Sequence, residues 1–400
     1  MPIGPILRAM KHNRTRFALI ILEIAITLAI VTNAVNMILV EREAMQKVSG
    51  FDDANLLSVR VQTFAPELDE ETYVENVAKA DLRAMHGIPG VKAASATRFR
   101  PWQGGGSSGI WKTEGYPEKF QAQIYGSSMR IFDVMGVDII QGRGFVENDT
   151  PTDPNTSTTV TVISRSLAKK LWGDKNPIGR VITSGDGDTP RTVIGVIGDF
   201  YNPYAWNIGE YVLFTPGRAY GPGSMSYLVR VEPGAMKSVV SQLEPRLLQV
   251  NAGRIFNMMA IPEIKDGFFA GQRLIITSMT AVIVVLVFVT ALGILGITSL
   301  SVAERTKQIG TRRALGATKG DILKHFLTEN WLVTTIGLIL GVVATYGLNF
   351  ALVSNVTDAK MPWYLVGVGM VLLWLNGLVA TIPPALRAAR VAPAIATRSV

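Results

Sequence analysis

Four long runs of apolar residues divide this chain and constrain its fold more than any other feature. They occupy about 17–40, 274–303, 330–357 and 361–386, and the last three contain no charged residue. Each exceeds the roughly 20 residues that a helix needs to cross about 30 Å of hydrocarbon. Backbone groups in lipid must hydrogen-bond within their own segment, so the runs predict four transmembrane helices.

Two alternatives apply to these runs. Each could be a buried helix of a soluble core, but four runs of this length argue against that. The first could be a secretory signal peptide, but it is too long for a signal-peptide core and lacks a small-x-small cleavage site. We therefore expect all four to be retained membrane helices.

Basic residues cluster beside these runs, and their positions predict orientation. In the three segments 1–16, 304–327 and 387–400, 13 residues are basic and only Glu304 and Asp321 are acidic. The basic residues are Arg8, Lys11, Arg14, Arg16, Arg305, Lys307, Arg312, Arg313, Lys319, Lys324, Arg387, Arg390 and Arg398. Cytoplasmic segments carry such an excess, so both termini are predicted to be cytoplasmic. The net charge of +8 therefore indicates membrane topology rather than a nucleic-acid surface.

These patterns predict a membrane α-helical protein with a large α+β extracytoplasmic domain inserted between helices 1 and 2. The predicted segments are a cytoplasmic N-terminus (1–16), helix 1 (17–40), the outer domain (41–273), helix 2 (274–303), a cytoplasmic loop (304–327), helix 3 (328–352), a short outer loop (353–363), helix 4 (364–386) and a cytoplasmic C-terminus (387–400). Cysteine is absent, which excludes thiol chemistry and disulfides.

The outer domain shows two β-α-β patterns. In the first, 55–63 and 91–99 alternate like strands around a helical pattern at 69–86; in the second, 159–164 and 191–200 flank 165–173. We expect two small lobes, with 101–109 (PWQGGGSSG) as a flexible loop. No HExxH motif and no paired carboxylates stand out, so the sequence indicates no catalytic site.

Glu23 is the one ionisable residue inside a run. A charge at mid-bilayer costs about 2.5–3.5 kcal/mol, so we expect either pairing, with Arg16 or a neighbouring helix, or a proton or substrate role. Small residues recur in the second and third runs, at Gly293, Gly296, Gly337 and Gly341. They would allow close helix packing, or they reflect only the frequency of glycine in membrane helices.

The segment from Ser301 to Trp331 is the most informative in the chain. It resembles the hallmark of the MacB/FtsX permease family of ABC transporters, which reads roughly ERxxEIGxRRALGA. The matching residues are Glu304, Arg305, Ile309, Gly310, Arg312, Arg313, Ala314, Leu315, Gly316 and Ala317. Gln308 departs from the pattern, since an acidic residue is common there.

Two further regions support the resemblance. The C-terminal Pro384, Ala385, Arg387, Ala388, Ala389, Arg390 and Pro393 are similar to the family's PAxRAARxxP ending. The outer segments 142–145 (GRGF), 177–179 (PIG) and 193–199 (VIGVIGD) resemble a MacB-type periplasmic core domain. The resemblance therefore covers nearly the whole chain.

The resemblance implies that the cytoplasmic loop docks on a nucleotide-binding subunit. The residues implied are Glu304, Arg305, Ile309, Gly310, Arg312, Arg313, Leu315, Gly316 and Ile322. Ile309, Leu315 and Ile322 are expected to supply apolar contact, and the two adjacent arginines would meet acidic rims or lipid phosphates. No GxxxxGK[ST] motif occurs, so ATP and Mg are expected to act through a separate ATPase chain, with no cofactor or metal bound directly.

The resemblance implies a permease subunit of the bacterial inner membrane with its large domain in the periplasm. It would couple ATP hydrolysis to movement of that domain, for efflux or extraction of a peptide, antibiotic or lipoprotein. The alternative is an FtsX-like signal relay that activates a periplasmic partner; the outer domain of about 230 residues favours transport. Expected partners are an ABC ATPase, a second permease copy or paralogue, an adaptor protein and membrane lipid, but no nucleic acid.

Overall fold

The computed structural model describes residues 14–64, 70–103, 107–150, 158–185, 189–203, 209–217, 220–221, 224–355 and 360–392. The chain forms two compact units, one from Lys47–Ala270 and one from the segments on either side of it. The predicted outer domain and the predicted helices therefore correspond to separate units. Four residues named in the sequence analysis lie outside the described residues: Arg8, Lys11, Pro393 and Arg398.

Ten α-helices occur in the described part of the chain. They are α1 (Arg14–Gln46), α2 (Glu71–His86), α3 (Ile131–Met135), α4 (Arg165–Trp172), α5 (Met236–Val250), α6 (Ile261–Phe268), α7 (Ala270–Glu304), α8 (Thr306–Ala314), α9 (Lys319–Asn355) and α10 (Trp363–Ala389). Helices α1, α7, α9 and α10 are long and apolar enough to cross a membrane. The prediction of four transmembrane helices is confirmed.

Glycines let α1 and α9 pack closely. A Cβ atom added at Gly337 would lie 2.9 Å from the Cβ of Ile24, and one at Gly341 would lie 3.0 Å from Cδ2 of Leu28. Side chains larger than hydrogen therefore do not fit at this helix contact without displacing α1. Gly337 and Gly341 therefore allow close helix packing, and they do not merely reflect how frequent glycine is in membrane helices.

Glu23 lies beside α7 and is not paired with Arg16. A Cβ atom at Gly293 would come within 2.6 Å of Glu23 Oε2, so the glycine makes room for the carboxylate. Arg16 instead bonds Glu304 with two hydrogen bonds of 2.9 Å. The expected Arg16–Glu23 pair is therefore wrong, because Arg16 lies at the end of α1 beside the last residue of α7.

Twelve strands lie in the described part of the outer unit, together with its helices. They are β1 (Leu56–Thr63), β2 (Val91–Ala96), β3 (Ser107–Thr113), β4 (Phe120–Ser127), β5 (Ile139–Gly142), β6 (Val160–Ser164), β7 (Val181–Ser184), β8 (Pro190–Ile197), β9 (Val212–Pro216), β10 (Tyr220–Gly221), β11 (Ser224–Val231) and β12 (Arg254–Ala260). They make one sheet of five strands and one of seven. The predicted α+β domain with two lobes is confirmed.

The five-stranded sheet forms the first lobe. Its path is β10-β11-β1-β12, and β2 also pairs with β11, so β1 and β2 run parallel with β11 between them. Helices α2 and α5 bury their apolar sides in the core of this lobe. At its edge Arg254 and Asp81 form a fully buried ion pair, and the Tyr227 hydroxyl donates to Asp81 at 2.6 Å. The predicted helix at 69–86 thus connects two strands of one sheet.

The seven-stranded sheet forms the second lobe and closes on itself. The strand order is β5-β8-β6-β9-β4-β3-β7, and β7 also pairs with β8. Six strands therefore form a closed ring, and β5 pairs with β8 outside it. Strands β6 and β8 are parallel neighbours connected through α4, as the second β-α-β pattern predicts. Among the described residues each of the six ring strands has a neighbour on both sides, which limits pairing with other chains.

Two glycine-containing family segments meet in this second lobe. A Cβ atom at Gly142 would lie 2.2 Å from the Ile194 carbonyl oxygen, and one at Gly195 would lie 2.2 Å from that of Arg143. The Arg143 guanidinium donates to Asp149 at 2.6 and 3.0 Å, and these hydrogen bonds hold the pKa of Asp149 below its usual value. The GRGF and VIGVIGD segments therefore stabilise the lobe by close backbone packing.

The expectation of a flexible loop at 101–109 is wrong at both of its described ends. Trp102 is almost completely buried, and 107–109 belong to β3. The glycines of this stretch suggested flexibility, but the tryptophan before them fills the interior of the outer unit. The residues at 104–106 lie outside the described chain.

Candidate functional site

The basic segment between α7 and α9 folds as a short helix followed by a tight turn. A single residue, Arg305, separates α7 from α8. Helix α8 ends at Ala314, and the chain turns at Gly316, whose φ is +99°. The Thr318 hydroxyl and backbone amide both bond Asp321, at 2.6 and 2.9 Å, and the Asp321 amide donates to the Thr318 hydroxyl at 3.2 Å. This reciprocal cap fixes the start of α9. The turn is therefore held by glycine on one side and a helix cap on the other.

Two ion pairs hold the junction between α7 and α8 to different helices. Arg16 of α1 bonds the Glu304 carboxylate, and the next residue, Arg305, bonds Glu329 of α9 at 3.0 and 3.2 Å. Glu329 is buried, so its pair with Arg305 exchanges solvent for a specific partner. The Glu-Arg dipeptide of the family motif thus connects α7 to both α1 and α9.

Below the turn lies a small apolar core. Ile309 and Ile322 are only 5% and 3% exposed, and with Phe326 they pack against Ala385 and Ala388 near the end of α10. Gly310 is also buried at this contact. We predicted that Ile309 and Ile322 would supply apolar contact to a partner. That prediction is corrected here, because helix α10 of this chain already covers both side chains.

Leu315 differs from these two residues. It is 84% exposed at the end of α8, immediately before the left-handed Gly316. Arg312 is exposed on the same short helix, and Arg313 is half-buried, with its Nε buried and unbonded within the described residues. The result is an exposed leucine beside basic side chains on a rigid turn.

Three residues of this arrangement are absent from the sequence-based selection. Glu329 and Phe326 lie just before the third apolar run, and Arg16 lies just before the first. A carboxylate at the border of an apolar run is a signal for a buried pair. The partner of Glu329 was not predictable, because Arg305 is 24 positions away in the sequence. The Arg16–Glu304 pair was not predictable either, since 288 positions separate its two residues.

These features define a multi-pass membrane protein with one large inserted α/β domain and a basic helix-turn between its second and third membrane helices. Residues 280–393 match the family described as FtsX-like permease C-terminal, and residues 17–246 match the MacB-like periplasmic core domain. The chain belongs to the MacB/FtsX-type permeases of ABC transporters and carries a MacB-like periplasmic core domain.

Relatives of two kinds share this similarity. The chain is 28% identical to an uncharacterised ABC transporter permease, YknZ of Bacillus subtilis (strain 168), over 82% of this chain and 80% of YknZ. It is also 28% identical to the macrolide export ATP-binding/permease protein MacB of Chromobacterium violaceum, over 88% of this chain. The match spans only 53% of that MacB, so this chain corresponds to about half of its length.

A solved structure also aligns with part of this chain. The periplasmic region of MacB from Actinobacillus actinomycetemcomitans aligns with 57% of this chain and 98% of its own, at 20% identity and a TM-score of 0.36. The sequence matches, rather than this alignment, carry the assignment to the family.

Proposed function

We propose that the turn around Leu315 docks on an ABC ATPase and transmits its movement to the membrane helices. The observation that carries this proposal is the 84% exposure of Leu315, in a segment whose other two candidate apolar residues, Ile309 and Ile322, are buried. An exposed leucine flanked by arginines fits an apolar pocket with an acidic rim. Complementary charge would favour association and orientation more than affinity.

The ion pairs give the proposed movement a path. Displacement of α8 would act on α1 through Arg16 and Glu304, and on α9 through Arg305 and Glu329. The Arg16–Glu304 pair is partly exposed and contributes little to stability, so it would transmit direction rather than hold the fold together. The Arg305–Glu329 pair has a buried carboxylate and would be the stiffer of the two connections. Glycine and apolar positions in the turn would then matter most for docking.

The ATPase would supply the ATP and Mg chemistry from a separate chain, as two copies working with two permease subunits. We place both termini and the α7–α9 turn in the cytoplasm, on the basis of the basic flanks. The outer domain would lie in the periplasm and move with the helices. We propose efflux or extraction of a peptide, antibiotic or lipoprotein, with an adaptor at the outer domain and lipid around the helices.

A single-cysteine cross-link tests the docking step. The chain has no native cysteine, so Leu315→Cys introduces one unique thiol. The variant is produced in its native host, and a heterobifunctional maleimide reagent is added before purification. We expect a covalent adduct with an ATPase subunit, identified by mass spectrometry, whose yield changes when ATP and Mg are added.

The matched control is Ile140→Cys, which places the thiol at an exposed apolar position of the outer domain. It should give no ATPase adduct. Equal adducts from both positions, or none from Leu315→Cys while an ATPase co-purifies, would contradict docking at the turn. Absence of any co-purifying ATPase would contradict the proposed partner itself.

A further inference from the structure

Trp102 occupies an unusual position in the outer unit. Its φ of +61° is the one left-handed value of a non-glycine residue among the described residues, and its side chain is only 1% exposed. Such a conformation is strained for a residue that carries a side chain, and it persists where the surroundings fix it. Its backbone amide donates to Asn202 Oδ1 at 2.8 Å, which provides part of that constraint.

The indole connects the two segments by which the chain enters and leaves the outer unit. Its Nε1 donates to Asp53 Oδ1 at 3.0 Å, a few residues after the end of α1. Lys265 of α6, which precedes α7, donates to the other oxygen of Asp53 at 2.9 Å. The Lys265 ammonium also lies 4.7 Å from the indole centroid, a cation–π contact. Entry and exit segments therefore share one carboxylate and one ring.

Aromatic rings surround this contact from both segments. Phe51, on the entry side, lies 6.2 Å from the Trp102 ring between centroids. Phe268 and Phe269, on the exit side, lie 5.9 and 5.5 Å away. Burial of several aromatic rings against one another makes a stiff contact, since each ring fills a large volume with few rotatable bonds.

We infer that Trp102 is a positioning residue that joins the entry and exit segments into one rigid connection, so that α1 and α7 move the outer domain together. This inference rests on the proposed function, because it names how movement would pass from the helices to that domain. A core residue needed only for stability would not require a left-handed backbone. The indole of this residue contacts both Asp53 and Lys265, which belong to the two connecting segments.

Distance measurement between spin labels tests the rigid connection directly. Ala54→Cys and Glu263→Cys place labels on exposed positions of the entry and exit segments. The full chain in lipid nanodiscs is measured by dipolar broadening in continuous-wave electron paramagnetic resonance, which suits short distances. We expect one narrow distance distribution, which Trp102→Ala widens. Lys265→Met should widen it as well while leaving the thermal unfolding midpoint of the chain unchanged, because it removes the connection without emptying the core.

The matched control is Trp111→Ala, which truncates a buried tryptophan in the core of the second lobe. It should leave the distribution narrow even though it lowers stability. An unchanged distribution in both Trp102→Ala and Lys265→Met, or equal widening in Trp111→Ala, would overturn the inference. These measurements use the permease alone, so a failure of ATPase docking at Leu315 does not affect them.

A cross-link tests whether the two segments move together during the ATP cycle. A short bis-maleimide joining Cys-substituted positions 54 and 263 should leave stimulated ATP hydrolysis of the co-purified complex unchanged, relative to the two single-cysteine variants. Loss of stimulation only in the joined chain would show that the segments must separate, and would overturn the inference while leaving docking intact.

Discussion

Arg16 and Glu304 join the first turn of α1 to the last residue of α7 through two parallel hydrogen bonds of 2.9 Å. The side chains are 24% and 46% exposed, so the pair contributes little to folding. Its position beside the Arg305–Glu329 pair gives it a role in holding α8 in one orientation. The predictions below separate such positioning from stability.

Charge reversal tests the Arg16–Glu304 pair. Arg16→Glu and Glu304→Arg each place like charges together, and we expect each to lower permease-stimulated ATP hydrolysis. The double variant restores an ion pair in the opposite sense and should recover much of the stimulation. Thermal unfolding should change little in all three. A double variant as impaired as either single variant would contradict a pairwise role.

Gly316 tests the geometry of the turn. Nothing lies within 4 Å of a Cβ built at this glycine, so only its φ of +99° opposes substitution. Gly316→Val should therefore impair stimulated ATP hydrolysis strongly, because a β-branched residue disfavours positive φ. Gly316→Asn should impair it less, since asparagine tolerates that region better. Equal activity of the glycine, asparagine and valine forms would contradict a conformational requirement.

Gly337 tests the close contact between α1 and α9. Gly337→Val should destabilise the helix bundle by about 1–3 kcal/mol, because the added atoms overlap Ile24 and overpacking has that cost. Gly296→Val is the control, since nothing lies within 4 Å of a Cβ there. Thermal unfolding in detergent measures both. Similar midpoints for the two variants would contradict the packing described.

Asp149 predicts a pH dependence of outer-domain stability. Hydrogen bonds from Arg143, with a further one from the Val146 amide, lower the pKa of Asp149, so its charged form favours the folded state. That stability is fully present above the unfolded pKa of about 3.9 and is lost as the pH falls through the lower folded value. Asp149→Asn should therefore destabilise the chain at pH 7, by on the order of 1 kcal/mol.

The control for this prediction is the same comparison in acid. The difference in urea unfolding between the native chain and Asp149→Asn should begin to shrink below about pH 4, where the unfolded carboxylate takes up a proton, and should vanish only below the lowered folded pKa of Asp149. A difference that stays constant from pH 7 to pH 3 would show that the aspartate acts through shape rather than charge.

Much of the fold was predictable because its signals are local. The four apolar runs must form helices in lipid, and the strand-helix-strand periodicities of the outer domain need no distant information. Closure of the second lobe through β7 and β8 was not predictable, since pairing of non-adjacent strands depends on their three-dimensional arrangement. Trp102 was missed for a related reason: the glycines after it suggested a loop, and its partners Asp53 and Lys265 lie far away in sequence.

The candidate site divides in the same way. The motif identified the segment, and Gly316 has the backbone conformation that only glycine adopts readily. Hydropathy treated Ile309, Leu315 and Ile322 as equivalent, because it records that a side chain is apolar but not what covers it. The end of α10 covers both isoleucines and leaves Leu315 exposed.

Stimulation of ATP hydrolysis by a Leu315→Asp variant tests the central claim most directly. The substitution places a charge on an exposed side chain, so folding should be retained while apolar docking is lost. In nanodiscs with the co-purified ATPase, we predict that hydrolysis falls to the rate of the ATPase alone, whereas Ile140→Asp in the outer domain preserves stimulation. Stimulation by Leu315→Asp equal to that of the native chain would contradict the account.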